Sequence, residues 1–151
     1  ALADLRDAGL IRHLGISNVG PEHLRQAQAI APVVCVQNRY SIDLQRPGSD
    51  DLLRTCEEEA IAFVPFFAIA GEGREAGAAN GESAVVLEVA RAHGGTPAQV
   101  RLAWTLHQGP HVLAIPGTGN LEHLSENIAA GSLRLSWEEI IRLDSFHQGP
   151  T

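Results

Sequence analysis

Four short runs of the chain are apolar almost without interruption: residues 13–18 (HLGISN), 33–38 (VVCVQN), 62–67 (AFVPFF) and 112–116 (VLAIP). None alternates between apolar and polar positions, as a strand with one wet face would. Continuous runs of this length fit strands buried on both faces, as in a parallel sheet covered by helices. Between them the apolar spacing changes to three and four, the period of a helix. Leu24, Ala27 and Ala31 recur in this way over residues 22–31, and Leu52, Leu53 and Cys56 over 50–59. Val85, Val86, Val89 and Ala90 do the same over 82–93. Thr96-Pro97-Ala98-Gln99 is a capping box with proline at the first helical position, and predicts a helix running to about His107. Ser136-Trp137-Glu138-Glu139 is a second capping box, opening a terminal helix through Leu143. With a further helix beginning near Asn120, the order becomes (α)β-α-β-α-β-α-α-β-α-α. Such alternation predicts an α/β fold of right-handed βαβ units around a parallel sheet. Four strands make either a small open sheet or half of an eight-stranded barrel.

Length and composition narrow the class. A chain of 151 residues is long enough for one domain with a real core, spanning 1–151, and short for two. A hydrophobic fraction of 44% with 19% charged residues is ordinary globular material. The formal charge of −7, with no lysine anywhere, argues against a nucleic-acid surface. No apolar run reaches membrane-spanning length, and the opening ALADLRDAGL is too charged for a signal peptide, so the chain reads as soluble and cytoplasmic. Cys35 and Cys56, one in an apolar run and one on a helix, read as two buried free thiols. Residues 71–81 (GEGREAGAANG) read as a mobile surface loop, because the flanking elements continue one alternation.

In α/β folds the ligand lies at the C-terminal ends of the strands. Those ends carry Ser17-Asn18, Gln37-Asn38, Phe66-Phe67 and Gly117-Thr118. The amides and hydroxyls form a neutral hydrogen-bonding surface suited to a planar carboxamide, and an aromatic ring could lie against a conjugated one. Capping of the following helices by Ser and Asn is the plain alternative. Gly117 and Gly119 precede the helix from Asn120, whose positive end would stabilise an anion; a simple tight turn explains them equally well. Gly71-x-Gly73-xxx-Gly77 misses the dinucleotide spacing by one position and does not join a strand to a helix, which excludes a Rossmann site. His107 and His111 are separated by Gly109-Pro110, so no helix aligns them on a metal. His123 stands one turn into its helix, able to meet a phosphate or simply to face water. Tyr40, the only tyrosine, has no basic partner in sequence.

Taken together, GISN at 15–18, VQN at 36–38, VPFF at 64–67, TPAQVRLAW at 96–104 and IPGTGNLEHLSEN at 115–127 resemble the C-terminal half of an aldo-keto reductase. The five motifs occur in the family's order and cover almost the whole chain. The VPFF and IPGT variants look closest to the bacterial branch that includes pyridoxal reductase-like enzymes. The resemblance implies strands five to eight of a (β/α)8 TIM-type barrel, carrying the NADPH (NADP+) site, with an aldehyde or ketone as the small-molecule substrate. It implies that Ser17, Asn18 and Gln37 hold the nicotinamide carboxamide. Phe66 stands where a Tyr stacks on the ring, and Phe67 where a small residue meets the pyrophosphate. Ile69, Gly71, Ile115, Gly119 and Asn120 fall along the same cofactor surface. Gly117 replaces a Lys, Thr118 keeps a hydroxyl for the 2′-phosphate, and His123 takes the place of an Arg. Glu126 and Asn127 match residues that contact the adenine. The family's catalytic Asp, Tyr, Lys and His belong to the first four strands, and no residue here matches them. The resemblance therefore implies a chain inactive in isolation, associating with itself or with a missing N-terminal half. The alternative is a non-catalytic nicotinamide-nucleotide-binding or assembly module. Neither reading involves a metal, a nucleic acid or a membrane.

Overall fold

The computed structural model describes residues 1–42, 48–69 and 83–145. Its elements are α1 (Leu2–Asp7), β1 (Leu14–Ser17), α2 (Pro21–Gln28), β2 (Val33–Gln37), α3 (Ser49–Glu58), β3 (Ala62–Phe63), α4 (Ala84–Ala92), α5 (Pro97–His107), α6 (Leu121–Ala130) and α7 (Trp137–Asp144). The strands form a parallel sheet in the order β1-β2-β3. Ser17 pairs with Gln37 and Val36 with Phe63. Gly15 lies opposite Cys35, where an added Cβ would stand 3.2 Å from the Cys35 carbonyl oxygen, so the close approach here depends on glycine.

The fourth apolar run does not become a strand. It joins the sheet only at an isolated bridge between Phe63 and Val112. The Phe63 amide donates to the His111 carbonyl at 3.0 Å, and the Leu113 amide to the Phe63 carbonyl at 2.9 Å. The next bond of a parallel ladder would come from residue 65, which is proline and has no N–H. The third predicted strand is shorter than expected, with only Ala62–Phe63 in regular pairing. Chain pairing on its other side survives, through Val64 N–H to Val36 at 2.8 Å and Phe66 N–H to Asn38 at 3.0 Å.

The helices cover one face of this sheet. Val36 and Phe63 are fully buried against Leu24, Leu52, Val89, Val100 and Trp104. On β1, Gly15 and Ser17 are exposed while Leu14 and Ile16 are half-buried, and Leu113 and Ile115 stand exposed beside buried Val112. α5 is buried on all sides, from Val100 through Thr105, because α4 and α6 both pack on it. A second small cluster of Ala68, Leu102 and Ala130, with Ile69 and Ala114 against it, lies on the α6 side. α7 is tied back by Trp104 Nε1, which donates to Asp144 Oδ1 at 2.8 Å, and by His93 Nε2 to Glu139 Oε1 at 2.9 Å. Burial pushes the Glu139 carboxyl up, but bonds from Ser136 and His93 outweigh it and hold the group below the usual carboxylate range.

Both cysteines are free, as expected; Cys56 is buried but Cys35 only half-buried. Burial, then the nearby Glu59, pushes the Cys56 thiol up to about 11, so it is no thiolate near neutral pH. The glycine-rich segment 71–81 lies outside the described residues. Among the described residues no helix is long and apolar enough to cross a membrane, and no group of three ligands could hold a metal.

Candidate functional site

Parallel register brings three of the four predicted strand ends together. The Asn18 amide donates to the Gln37 carbonyl at 3.1 Å, and the Asn38 carbonyl accepts the Phe66 amide. Ser17, Asn18, Gln37 and Phe66 are thus joined laterally by backbone bonds across β1, β2 and the residues after β3. Two of these ends lie in the left-handed region, Asn18 at φ 57° and Phe67 at φ 62°; asparagine enters it readily, whereas the bulky Phe67 is strained there. The third such residue, Ala60, only closes the C-terminus of α3, where Ile61 N–H reaches back to Cys56. Strain of this kind persists where surrounding contacts enforce it, and it collects at functional sites.

The side chains divide into those already used and those left open. Asn38 is used twice: Oδ1 accepts Val19 N–H at 3.1 Å, and Nδ2 donates to the Val19 carbonyl at 2.7 Å. It clamps the turn after β1 onto β2, a role its sequence position did not reveal. Asn38→Ala breaks both bonds and is expected to destabilise the chain by about 1–3 kcal/mol, measured by urea unfolding. Asn18 Nδ2 donates to Ser17 Oγ at 3.2 Å, which leaves the Ser17 hydroxyl proton for an outside acceptor. The half-buried Gln37 amide bonds nothing within the described residues. Phe66 and Phe67 meet edge to face at 5.2 Å, and the Arg39 guanidinium lies 5.4 Å over the Phe67 ring. Phe67 is therefore held between an aromatic edge and a cation, and Phe66 keeps its own ring half-exposed.

The segment 115–127 sits beyond the Phe63–Val112 bridge, and no hydrogen bond among the described residues joins it to Ser17 or Gln37. Neither Gly117 nor Gly119 has a positive φ, and an added Cβ would meet open space at both. The turn thus does not need glycine for its backbone; the two residues leave the loop uncovered. Thr118 Oγ1 accepts Asn120 N–H at 3.1 Å, and Asn120 Oδ1 caps α6 by accepting Glu122 N–H at 2.8 Å. The amides of Leu121 and His123 remain at the positive end of the helix. Ile115, Thr118 and the His123 side chain are exposed, while Glu126 and Asn127 are half-buried. α6 is held to α5 by Gln99, whose Oε1 closes its own capping box on Thr96 N–H while Nε2 donates to the Glu126 carbonyl at 3.1 Å. The sequence marked the box but not this second bond. Ile69 packs on the cluster of Leu102 and Ala130, and Gly71 lies outside the described residues.

Tyr40 is not a site residue. It is buried, stacked on Trp104 at 5.6 Å and edge-on to Phe63 at 5.7 Å, with its hydroxyl donating to Gln108 Oε1 at 3.4 Å.

Pyridoxine 4-dehydrogenase of Escherichia coli is 41% identical over 143 residues, covering 95% of this chain and 47% of that protein. Among solved structures, an aldo-keto reductase from Klebsiella pneumoniae in complex with NADPH superposes with TM-score 0.81 at 31% identity, covering 98% of this chain and 52% of that one. A thermostable aldo-keto reductase bound to the inhibitor epalrestat gives 0.81 at 35% identity, covering 95% of this chain and 52% of that one. The chain spans about half the length of the relatives it matches. The Aldo/keto reductase family profile matches residues 1–148, nearly end to end, and the chain belongs to that family.

Proposed function

We propose that this chain is the nicotinamide-cofactor-binding portion of an aldo-keto reductase, equivalent to strands five to eight of a (β/α)8 barrel, with NADPH as cofactor. One observation carries the reading: an unspent Gln37 amide sits between two strand ends, Asn18 and Phe67, held in the left-handed region. The K. pneumoniae structure in complex with NADPH supports the choice of cofactor. Bound there, the reduced nicotinamide would supply a hydride to the carbonyl carbon of an aldehyde or ketone. The name of the E. coli relative makes a pyridoxal-like aldehyde the first substrate to try.

The chain's own residues would bind and orient. Ser17, with its free hydroxyl proton, Asn18 and Gln37 would hold the planar carboxamide, while the Phe66 face supports the ring. At the other end Thr118 has spent an acceptor site on Asn120 N–H, so its hydroxyl proton is what remains to offer a phosphate oxygen. The Leu121 and His123 amides and the helix's positive end favour the same anion, and the open space over Gly117 and Gly119 admits it. Glu126 and Asn127, half-buried on α6, would meet the base.

Gln37→Ala tests this cleanly, because the amide makes no hydrogen bond among the described residues. Titration with NADPH, followed by cofactor fluorescence, is expected to find binding weaker by about 1–3 kcal/mol with thermal stability unchanged. Equal affinity for the two proteins would remove Gln37 from the site.

A further inference from the structure

We propose that the outer face of α7 is an interface for a second copy of this chain, with the two α7 helices antiparallel about a two-fold axis. The helix is fixed to its own fold from one side. Leu135 and Ile140, at the staple positions around its capping box, are buried in the core together with Leu143. Glu139 adds the bond to His93. On the opposite side Trp137 is 72% exposed, and Ile141, one turn further on, is 48% exposed. Neither belongs to the core cluster. A spacing of four sets the two side chains on one face, and an outward tryptophan beside an aliphatic residue is the usual make-up of an interface anchor.

The order of charges identifies the occupant. Glu138 and Arg142, both exposed and again four apart, run beside the apolar pair. The acid thus stands next to the tryptophan and the base next to the isoleucine. When two such helices meet antiparallel, Trp137 of each copy lies against Ile141 of the other. Glu138 of each then falls opposite Arg142 of the other, so every contact is made twice. Two helices running in the same direction would set acid on acid and base on base. Charges flanking an apolar seam select orientation in this way. Arg142 also pairs with Glu88 on α4, which holds the guanidinium beside the seam and leaves further N–H groups for a second carboxylate. One face of an eight-residue helix is a small contact, in the class below about 1,200 Å² that associates transiently. The dimer therefore forms and separates with concentration.

The chain reports on this face by itself. It has two tryptophans, and Trp104 is fully buried, so acrylamide quenching of tryptophan fluorescence reads Trp137. Quenching is expected to fall about twofold as the chain concentration rises through the dissociation constant of the dimer. Glu138→Arg alone and Arg142→Glu alone each oppose like charges across the axis, and each should abolish that protection. An equimolar mixture of the two variants should restore it, because each copy then meets the other's reversed charge. Both positions are exposed, so circular dichroism should not change. Trp137→Ser, followed by sedimentation, alters no charge and should weaken association at least tenfold. Quenching that is indifferent to concentration overturns the proposal. So does protection that Glu138→Arg leaves intact, a mixture that fails to recover it, or association that Trp137→Ser does not weaken. Association through any other face, the apolar stripe of α6 included, raises the mass without protecting Trp137 and equally overturns it. No cofactor is present in these measurements, so their outcome is separate from that of the NADPH titration.

Discussion

Purified as it stands, the chain is expected to reduce neither pyridoxal nor a simple aldehyde with NADPH above a protein-free blank. Hydride addition to a carbonyl needs a proton donor for the developing alkoxide, and a positioned acid contributes about a hundred- to ten-thousand-fold. The only phenol available is Tyr40, which is 2% exposed and wedged between Trp104 and Phe63. Burial first, then Asp50 and Asp144, pushes its ionisation far above the ordinary tyrosine range, so it keeps its proton and presents it to Gln108 instead of a substrate. No lysine exists in the chain to draw that pKa down. The measurement is loss of NADPH absorbance with increasing chain concentration. Turnover that scales with the chain and survives repurification would mean that the chemistry lies in this chain. Cofactor binding without turnover would favour a cofactor-binding portion or a non-catalytic module.

The helices were legible in the sequence because their signals are local. Both capping boxes formed at Thr96 and Ser136, each with the side chain accepting from the residue three later, and the predicted helix ends lie within about three residues of those observed. The first two strands were legible from apolar continuity. The fourth was not, because a strand is made by its neighbour, and the neighbour offers proline where a donor is needed. That signal stood in AFVPFF, but its meaning depends on which side of the strand Pro65 faces, and register alone decides this.

The site divides in the same way. Ser17, Gln37 and Phe66 could be placed by their position at strand ends, since parallel register sets those ends side by side. Asn38 and Gln37 are adjacent and chemically alike, yet one clamps Val19 from both ends and the other bonds nothing among the described residues. Only the turn after β1, folding over β2, distinguishes them. The left-handed backbone at Asn18 and Phe67 was equally hidden, because dihedrals at a strand end are imposed by tertiary packing. Gly117 and Gly119 mark the opposite failure: glycine suggested an unusual backbone, and the backbone proved ordinary.

Trp104→Ala is expected to cost about 3–5 kcal/mol, the range for deleting a large buried aromatic, against a typical total of about 5–15 kcal/mol for a domain. Trp104 is fully buried in the middle of α5, and three separate attachments converge on it. Its ring stacks on Tyr40 at an interplanar angle of 16°. Its body lies in the cluster shared by β2, β3, α3, α4 and α7. Its N–H reaches Asp144, the last residue of α7. Truncation leaves a cavity lined by side chains fixed to different elements, which cannot all move in to fill it. Trp104→Phe separates the contributions. The smaller ring keeps part of the stacking and loses the bond to Asp144, which is exposed and can turn to water, so its loss should be clearly smaller than that of alanine. Urea unfolding followed by circular dichroism measures both. Equal losses for Phe and Ala would mean that the Asp144 bond, and not the packing of the ring, holds α7 to the core.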